Sequence, residues 1–197
     1  MWAKRLPLAL FAVGLCQPAL GGQISSAYTE IDTQKSCSVF SSNEEGGEFA
    51  NLACSGWNGY PVLIYSGDLR ESVFYGFPPE GDLPWESFAA FNASGPRIEW
   101  RIETDGSRAV PFATIHRRFV NADPDNPERR TEVLVVSKVG AVDQRDGCVV
   151  GLVLATGNPG ANEGARKIAD DRAKSFVCGL DQRSVVGEPM PDFTRSE

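Results

Sequence analysis

The chain is short of the groups on which most enzymes rely. It has one histidine, His116, in 197 residues. Mechanisms that need two imidazoles, such as HExxH zinc hydrolysis, are therefore excluded. No GxSxG elbow presents a serine, and no Walker or dinucleotide glycine pattern cradles a phosphate. The apolar runs stay well under the roughly 18 residues of a membrane-spanning helix. Basic residues are outnumbered 19 to 26, for a net charge of −7, which argues against nucleic-acid binding because phosphate recognition draws on a basic surface. No internal repeat or low-complexity tract is visible. What remains is of ordinary globular composition, 42% hydrophobic and 23% charged, at a length suited to one domain.

The N-terminus carries an address. Lys4 and Arg5 give a positive end, Leu6 to Leu15 a short apolar core, and Ala19-Leu20-Gly21 a small-x-small cleavage site, so residues 1–21 read as a secretory signal peptide. Cys16 follows Val13-Gly14-Leu15 in the manner of a lipoprotein box. Leu15 is bulky for the position before a lipidated cysteine, and export without an anchor is the reading adopted. A periplasmic or secreted protein matures where thiols oxidise. Cys37, Cys54, Cys148 and Cys178 then form an even set, with Cys37–Cys54 and Cys148–Cys178 favoured because each pair lies within one local unit. Zinc spacing is missing, and no metal or cofactor is expected.

The body of the chain, residues 22–180, reads as one α+β domain, and 181–197 as a flexible tail. Strands are predicted at Phe49–Cys54, Val62–Tyr65 and Val73–Tyr75, and a short helical turn at Trp85–Phe91. In Arg97 to Glu103 the alternation sends Ile98, Trp100 and Ile102 to the core and the charges to water. Asp105-Gly106 turns the chain into a strand at Val110–Val120. Glu132–Val136 and Cys148–Ala155 follow as strands buried on both faces, completing a four-stranded antiparallel meander. One helix closes the domain. Asn158 is its predicted cap, Pro159 its first residue and Cys178-Gly179 its end. Its apolar stripe is Ala161, Ala165, Ile168, Ala169, Ala173 and Phe176, with Glu163–Lys167 and Asp170–Lys174 as pairs on the wet face.

Candidate binding residues are few. Trp57, Tyr60, Tyr65, Phe74, Tyr75, Phe77 and Trp85 form an aromatic group that suits a peptide or glycan platform, or alternatively the core of a small β unit. His116 reads as a sheet-surface residue among arginines. Arg118, with Arg97 and Arg101 nearby, suits an anion, whereas pairing with Glu99, Glu103 or Glu132 is the simpler use of these cations. Asn121, Asp123, Asp125 and Asn126 make a turn-rich loop, not a calcium site, since prolines break the ligand rhythm. Glu80, Asp82 and Glu86 supply carboxylates, and Asn92-Ala93-Ser94 is a glycosylation sequon.

Four stretches together resemble a family of uncharacterised exported bacterial proteins: Arg97–Trp100, Pro111–Ile115, Cys148–Val153, and Ala165–Asp170 with Cys178. The resemblance implies a bacterial periplasmic or secreted setting and brings no activity. The expectation is a non-catalytic envelope protein, a binding or inhibitory module for a protein, peptide or glycan. Its rivals are a small hydrolase using dispersed carboxylates or His116, and a lipid-tethered structural protein.

Overall fold

The computed structural model describes residues 22–43, 49–123, 125–126 and 128–196. The predicted signal peptide and Cys16 lie outside the described residues. The fold is mostly β. Strands β1 (Gln23–Glu30), β2 (Cys37–Ser42), β3 (Phe49–Ser55), β4 (Pro61–Gly67), β5 (Arg70–Tyr75), β6 (Trp85–Phe88), β7 (Asn92–Asp105), β8 (Arg108–Val120), β9 (Thr131–Lys138) and β10 (Val149–Leu154) precede helix α1 (Ala161–Arg172); β11 (Ser184–Val186) and β12 (Phe193–Ser196) follow.

The expected meander is present as β7-β8-β9-β10, but it is only the middle of a six-stranded sheet, β1-β7-β8-β9-β10-β11. The sheets are therefore not a simple meander. β1 pairs antiparallel with the outer side of β7, and β11 pairs parallel with β10. The parallel pairing follows from the helix: chain reversal through α1 supplies the crossover that parallel neighbours need. A four-stranded antiparallel sheet, β2-β3-β4-β5, and the ribbon β12-β6 cover the other face.

The helix lays its predicted stripe on the sheet: Ala161, Ala165, Ile168, Ala169, Ala173 and Phe176 are all buried, packed with Ile115, Leu134, Val136, Val150 and Val153. The small alanines let the helix approach closely, so its stabilisation comes from burial of this stripe more than from propensity. On the opposite face Ile98, Trp100 and Ile102 meet Val62, Ile64 and Tyr75 of the second sheet. Where β5 ends, Gly76 bridges Gly140; a Cβ on Gly76 would stand 2.2 Å from the Gly140 carbonyl, so two backbones meet where no side chain fits.

Both expected disulfides are formed. Cys37–Cys54 joins the paired strands β2 and β3, and Cys148–Cys178 ties the chain beyond the helix to the start of β10.

Several local expectations are corrected. Residues 85–88 are a strand and not a helical turn, because Ser87 Oγ donates to the Glu71 carbonyl and Phe88 is seated in the core. The segment expected to be a loose tail contributes β11 and β12, held by Phe193 packing edge-on against Phe88 with ring centroids 4.9 Å apart. The helix ends at Arg172, short of Cys178. Beyond Ala173 the backbone finds other partners: Lys138 Nζ donates to the Phe176 carbonyl, and the Val177 N–H donates to Asp181. Gly160 occupies the cap position, with Asn158 Oδ1 accepting its N–H. The wet-face pairs also differ. Lys167 meets Asp171, while Lys174 and Asp170 reach across to Glu103 and Arg101 of β7.

Candidate functional site

Of the candidate binding residues, Tyr75, His116 and Arg118 come together between the two sheets. Strand periodicity puts them there. Glu71, Val73 and Tyr75 share the inner face of β5, while Thr114, His116, Arg118 and Val120 share one face of β8. His116 is fully buried, which corrects its expected place on a sheet surface. Its Nε2 lies 2.7 Å from the Gly95 carbonyl, which can only accept, so Nε2 carries the proton. Nδ1 is then the acceptor for the Tyr75 hydroxyl at 2.7 Å. Both nitrogens are thereby committed. Burial, reinforced by the nearby charge of Arg118, pulls the imidazole pKa down to about 3, and burial pushes the Tyr75 phenol up. The ring is neutral and out of reach of a dissolved substrate.

Arg118 is equally committed. It donates to Ser94 Oγ at 2.6 Å, to the Glu71 carbonyl at 2.6 Å and to Asn92 Oδ1 at 2.9 Å. Glu71 Oε2 accepts from the Ser94 N–H at 2.8 Å and hydroxyl at 2.6 Å. The network clamps a bulge in β7, where the register passes from Ser94 opposite Arg118 to Ile98 opposite His116. His116 holds the bulge at Gly95, and the Ile31 N–H holds it at the Pro96 carbonyl. Glu71, Ser94 and the bulge residues Gly95 and Pro96 line an open cleft, together with Ile31, Asp32, Thr33 and Gln34.

Trp57 and Tyr60 lie apart from this network. The 3-10 turn Trp57–Gly59 carries them, with Asn58 in a left-handed conformation (φ 47°) between the two rings. Tyr60 sits 6.5 Å from Trp57 and 5.2 Å from Phe77, centroid to centroid, so three partly buried rings form a row, with Trp57 and Tyr60 packed against the core between the sheets. The turn is anchored below: a Cβ on Gly56 would stand 2.7 Å from the buried Trp100 ring, and Cys54, two residues earlier, is in a disulfide. Burial raises the Tyr60 pKa, with the charge of Arg108 opposing and that of Asp143 adding to the shift. Of the aromatic group read from the sequence, Phe74 and Tyr75 are core, and Tyr65 makes an edge contact with Phe40 on the outer face of the second sheet.

The charges of β7 depart most from the sequence reading. Glu99 and Arg101, expected in water, are buried under the flank of the helix. Arg166 grips Glu99 with Nε at 2.6 Å and a terminal nitrogen at 3.0 Å; Arg101 grips Asp170 at 2.8 and 2.7 Å; Ser26 donates to Glu99 at 2.6 Å. Burial raises the Glu99 pKa, but the bonds from Arg166 and Ser26 and the charges of both arginines outweigh it and hold the carboxyl below its usual range. Arg166 and Asp170, four apart on the helix, were the signal that this strand face has a charged cover. Arg117 pairs with Glu132, as cross-strand pairing predicts.

The other candidates are placed as follows. Glu86 accepts the Val149 N–H and sits 3.7 Å from both Arg183 and Arg195. Asp123 Oδ1 accepts the N–H groups of Asp125 and Asn126, an Asx turn. Asn92 of the sequon is buried with its amide donated to Ser87 and Ala90, so the folded protein does not present it to a glycosylating enzyme. Among the described residues no group of three or more His, Cys, Asp or Glu is placed to hold a metal ion, and no helix is long and apolar enough to cross a membrane. Comparison of the chain with protein-family models, with curated proteins and with solved structures found no match.

Proposed function

We propose that the protein is an exported, non-catalytic binding module of the bacterial envelope, and that the row Trp57–Tyr60–Phe77 is its ligand surface. Two disulfides suit an oxidising compartment, and the export address read from residues 1–21 agrees with them. One contrast carries the reading. The imidazole and phenol able to do acid–base work are sealed and mutually satisfied, whereas the partly exposed rings of the row stand on a turn already held in shape. Ring faces beside the exposed Asn58 suit the C–H face of a glycan segment, with a polar side chain alongside to fix its orientation. A pre-ordered turn also lowers the entropy lost on binding.

The test is an NMR titration with soluble envelope oligosaccharides, following the Trp57 indole and, in native protein and variants alike, the Tyr60 ring. Native protein is expected to shift both signals, and Trp57→Ala to weaken binding about tenfold or more, while Tyr75→Phe leaves affinity unchanged. Failure of any such glycan to perturb Trp57 or Tyr60 overturns the assignment. The hydrolase reading has one observation in its favour: Ser94 Oγ and Glu71 Oε2, 2.6 Å apart, line an open cleft. Turnover of an ester or glycoside by native protein, abolished in Glu71→Gln, would move the assignment there.

A further inference from the structure

Sheet edges expose unpaired N–H and C=O groups, and proteins guard them with bulges, charges, prolines, covering segments or short strands. Most edges in this protein carry such a device. β2 is bulged, its register shifting between Val39 and Ser41. β5 is covered by β6, whose Ser87 hydroxyl and Glu86 N–H bond to Glu71 and Ser72. β11 is three residues long, and β12 is four with Arg195 among them.

β1 has none of them. It is eight residues long, pairs with β7 without a register shift, and contains no proline or lysine; its only charge, Glu30, is its last residue. Among the described residues no strand pairs with its outer side. Tyr28, in the middle of this edge, is 52% exposed.

The sequence of β1 is complementary to itself. An antiparallel pair about a two-fold axis perpendicular to the sheet keeps each side chain on its own face, so opposed residue numbers must add to an even total. With the axis at Ser26, Tyr28 of one copy lies opposite Ile24 of the other, Thr29 opposite Gln23, Ala27 opposite Ser25, and Glu30 opposite Gly22. No like charges meet, although the chain carries a net charge of −7. The aromatic–β-branched pair Tyr28–Ile24 is a favourable cross-strand combination and covers the exposed phenol ring. Moving the axis to Ala27 sets Ile24 against Glu30 and loses this match.

We propose that β1 pairs antiparallel with β1 of a second copy through a two-fold at Ser26, making one continuous sheet across a homodimer. The turn that carries Trp57 packs beside β1, with Ala27 against the same core cluster as Trp57 and Tyr60, but the interface uses the strand's outer edge and not the rings, so the dimer and the glycan are tested with different variants.

Sedimentation velocity of the purified protein, from low-micromolar to sub-millimolar concentration, is expected to show a monomer–dimer equilibrium. Ser25 is exposed and diagonal to its own mate across the axis. Ser25→Lys is therefore expected to raise the dimer dissociation constant about tenfold or more, with the far-ultraviolet spectrum and melting profile of the monomer unchanged. Mixing Ser25→Lys with Ser25→Glu is expected to restore a dimer. A native protein that stays monomeric throughout overturns the proposal. So does a dimer indifferent to Ser25→Lys, or a charge-swapped mixture that fails to associate.

Discussion

Arg101 and Arg118 stand on opposite faces of one sheet, and both are buried, with side chains 10% and 5% exposed. Arg101 lies under the flank of the helix, where Asp170 is still 27% exposed and Glu99 has a second cation in Arg166. Its surroundings are redundant and within reach of water. Arg118 lies between two sheets and donates to Asn92, Ser94 and the Glu71 carbonyl, with the Glu71 carboxylate, 24% exposed, 3.7 Å away as its acidic neighbour. A helix covers a sheet with a narrow stripe and long side chains at its margins, so water reaches the edge of the contact. A second sheet covers broadly, so a polar group beneath it is either satisfied from within, as His116 and Arg118 are, or left without a partner, as the Thr114 hydroxyl is.

The comparison is sharpened most by removing the two arginines in turn. Arg118→Met is expected to cost about 3–5 kcal/mol, the range for breaking a buried charged network, and Arg101→Met only about 1–2 kcal/mol, closer to an ordinary hydrogen bond. Urea denaturation of both variants decides it, and equal losses would erase the distinction between the faces.

The disulfides come next. Cys148–Cys178 closes a span of 30 residues and Cys37–Cys54 one of 17. Loop-closure entropy gives about 3.5 and about 3 kcal/mol for replacing each pair by alanine. Amide exchange is expected to separate them further: loss of Cys148–Cys178 speeds exchange along α1, and loss of Cys37–Cys54 speeds it in β2 and β3.

The smallest effect is the pH dependence of the sheet–sheet seam. An unfolded histidine gains its proton near pH 6.5, whereas folded His116 resists protonation down to about 3. Between those values the unfolded chain binds the extra proton, so stability falls as pH falls, with a slope approaching about 1.4 kcal/mol per pH unit. Stability measured from pH 7 to 5 is expected to drop in native protein and to drop less in His116→Gln. Glu86, whose carboxyl is raised by burial, works in the opposite sense and is common to both proteins.

Much of this architecture was legible in order along the chain. The strict alternation from Ile98 to Ile102, the doubly apolar runs of β9 and β10 and the alanine stripe of α1 are local patterns, and the elements formed where they indicate. Cysteine spacing paired the disulfides correctly. The alternation that turned Val73 and Tyr75 toward the core also placed Glu71 inward, and the one that buried Thr114 and Val120 placed His116 and Arg118 inward, so the interior network was half visible. Its missing half was the identity of the covering layer. Nothing near Arg101 in the chain announces that Asp170 will cover it from 69 residues away. For the same reason Phe193 gave no sign that it would dock on Phe88 and turn a polar tail into strands.

The sequence by itself determined the periodicities, and hence which residues lie in strands or helix and which share a face, because these depend on backbone geometry and neighbours a few positions apart. Tertiary structure alone decided which faces meet. That choice set the protonation of His116, sealed Tyr75 and Arg118 inside, and left the Trp57–Tyr60–Phe77 row and the edge of β1 facing outward. Burial and long-range pairing are properties of the assembled layers, and no stretch of chain contains both partners.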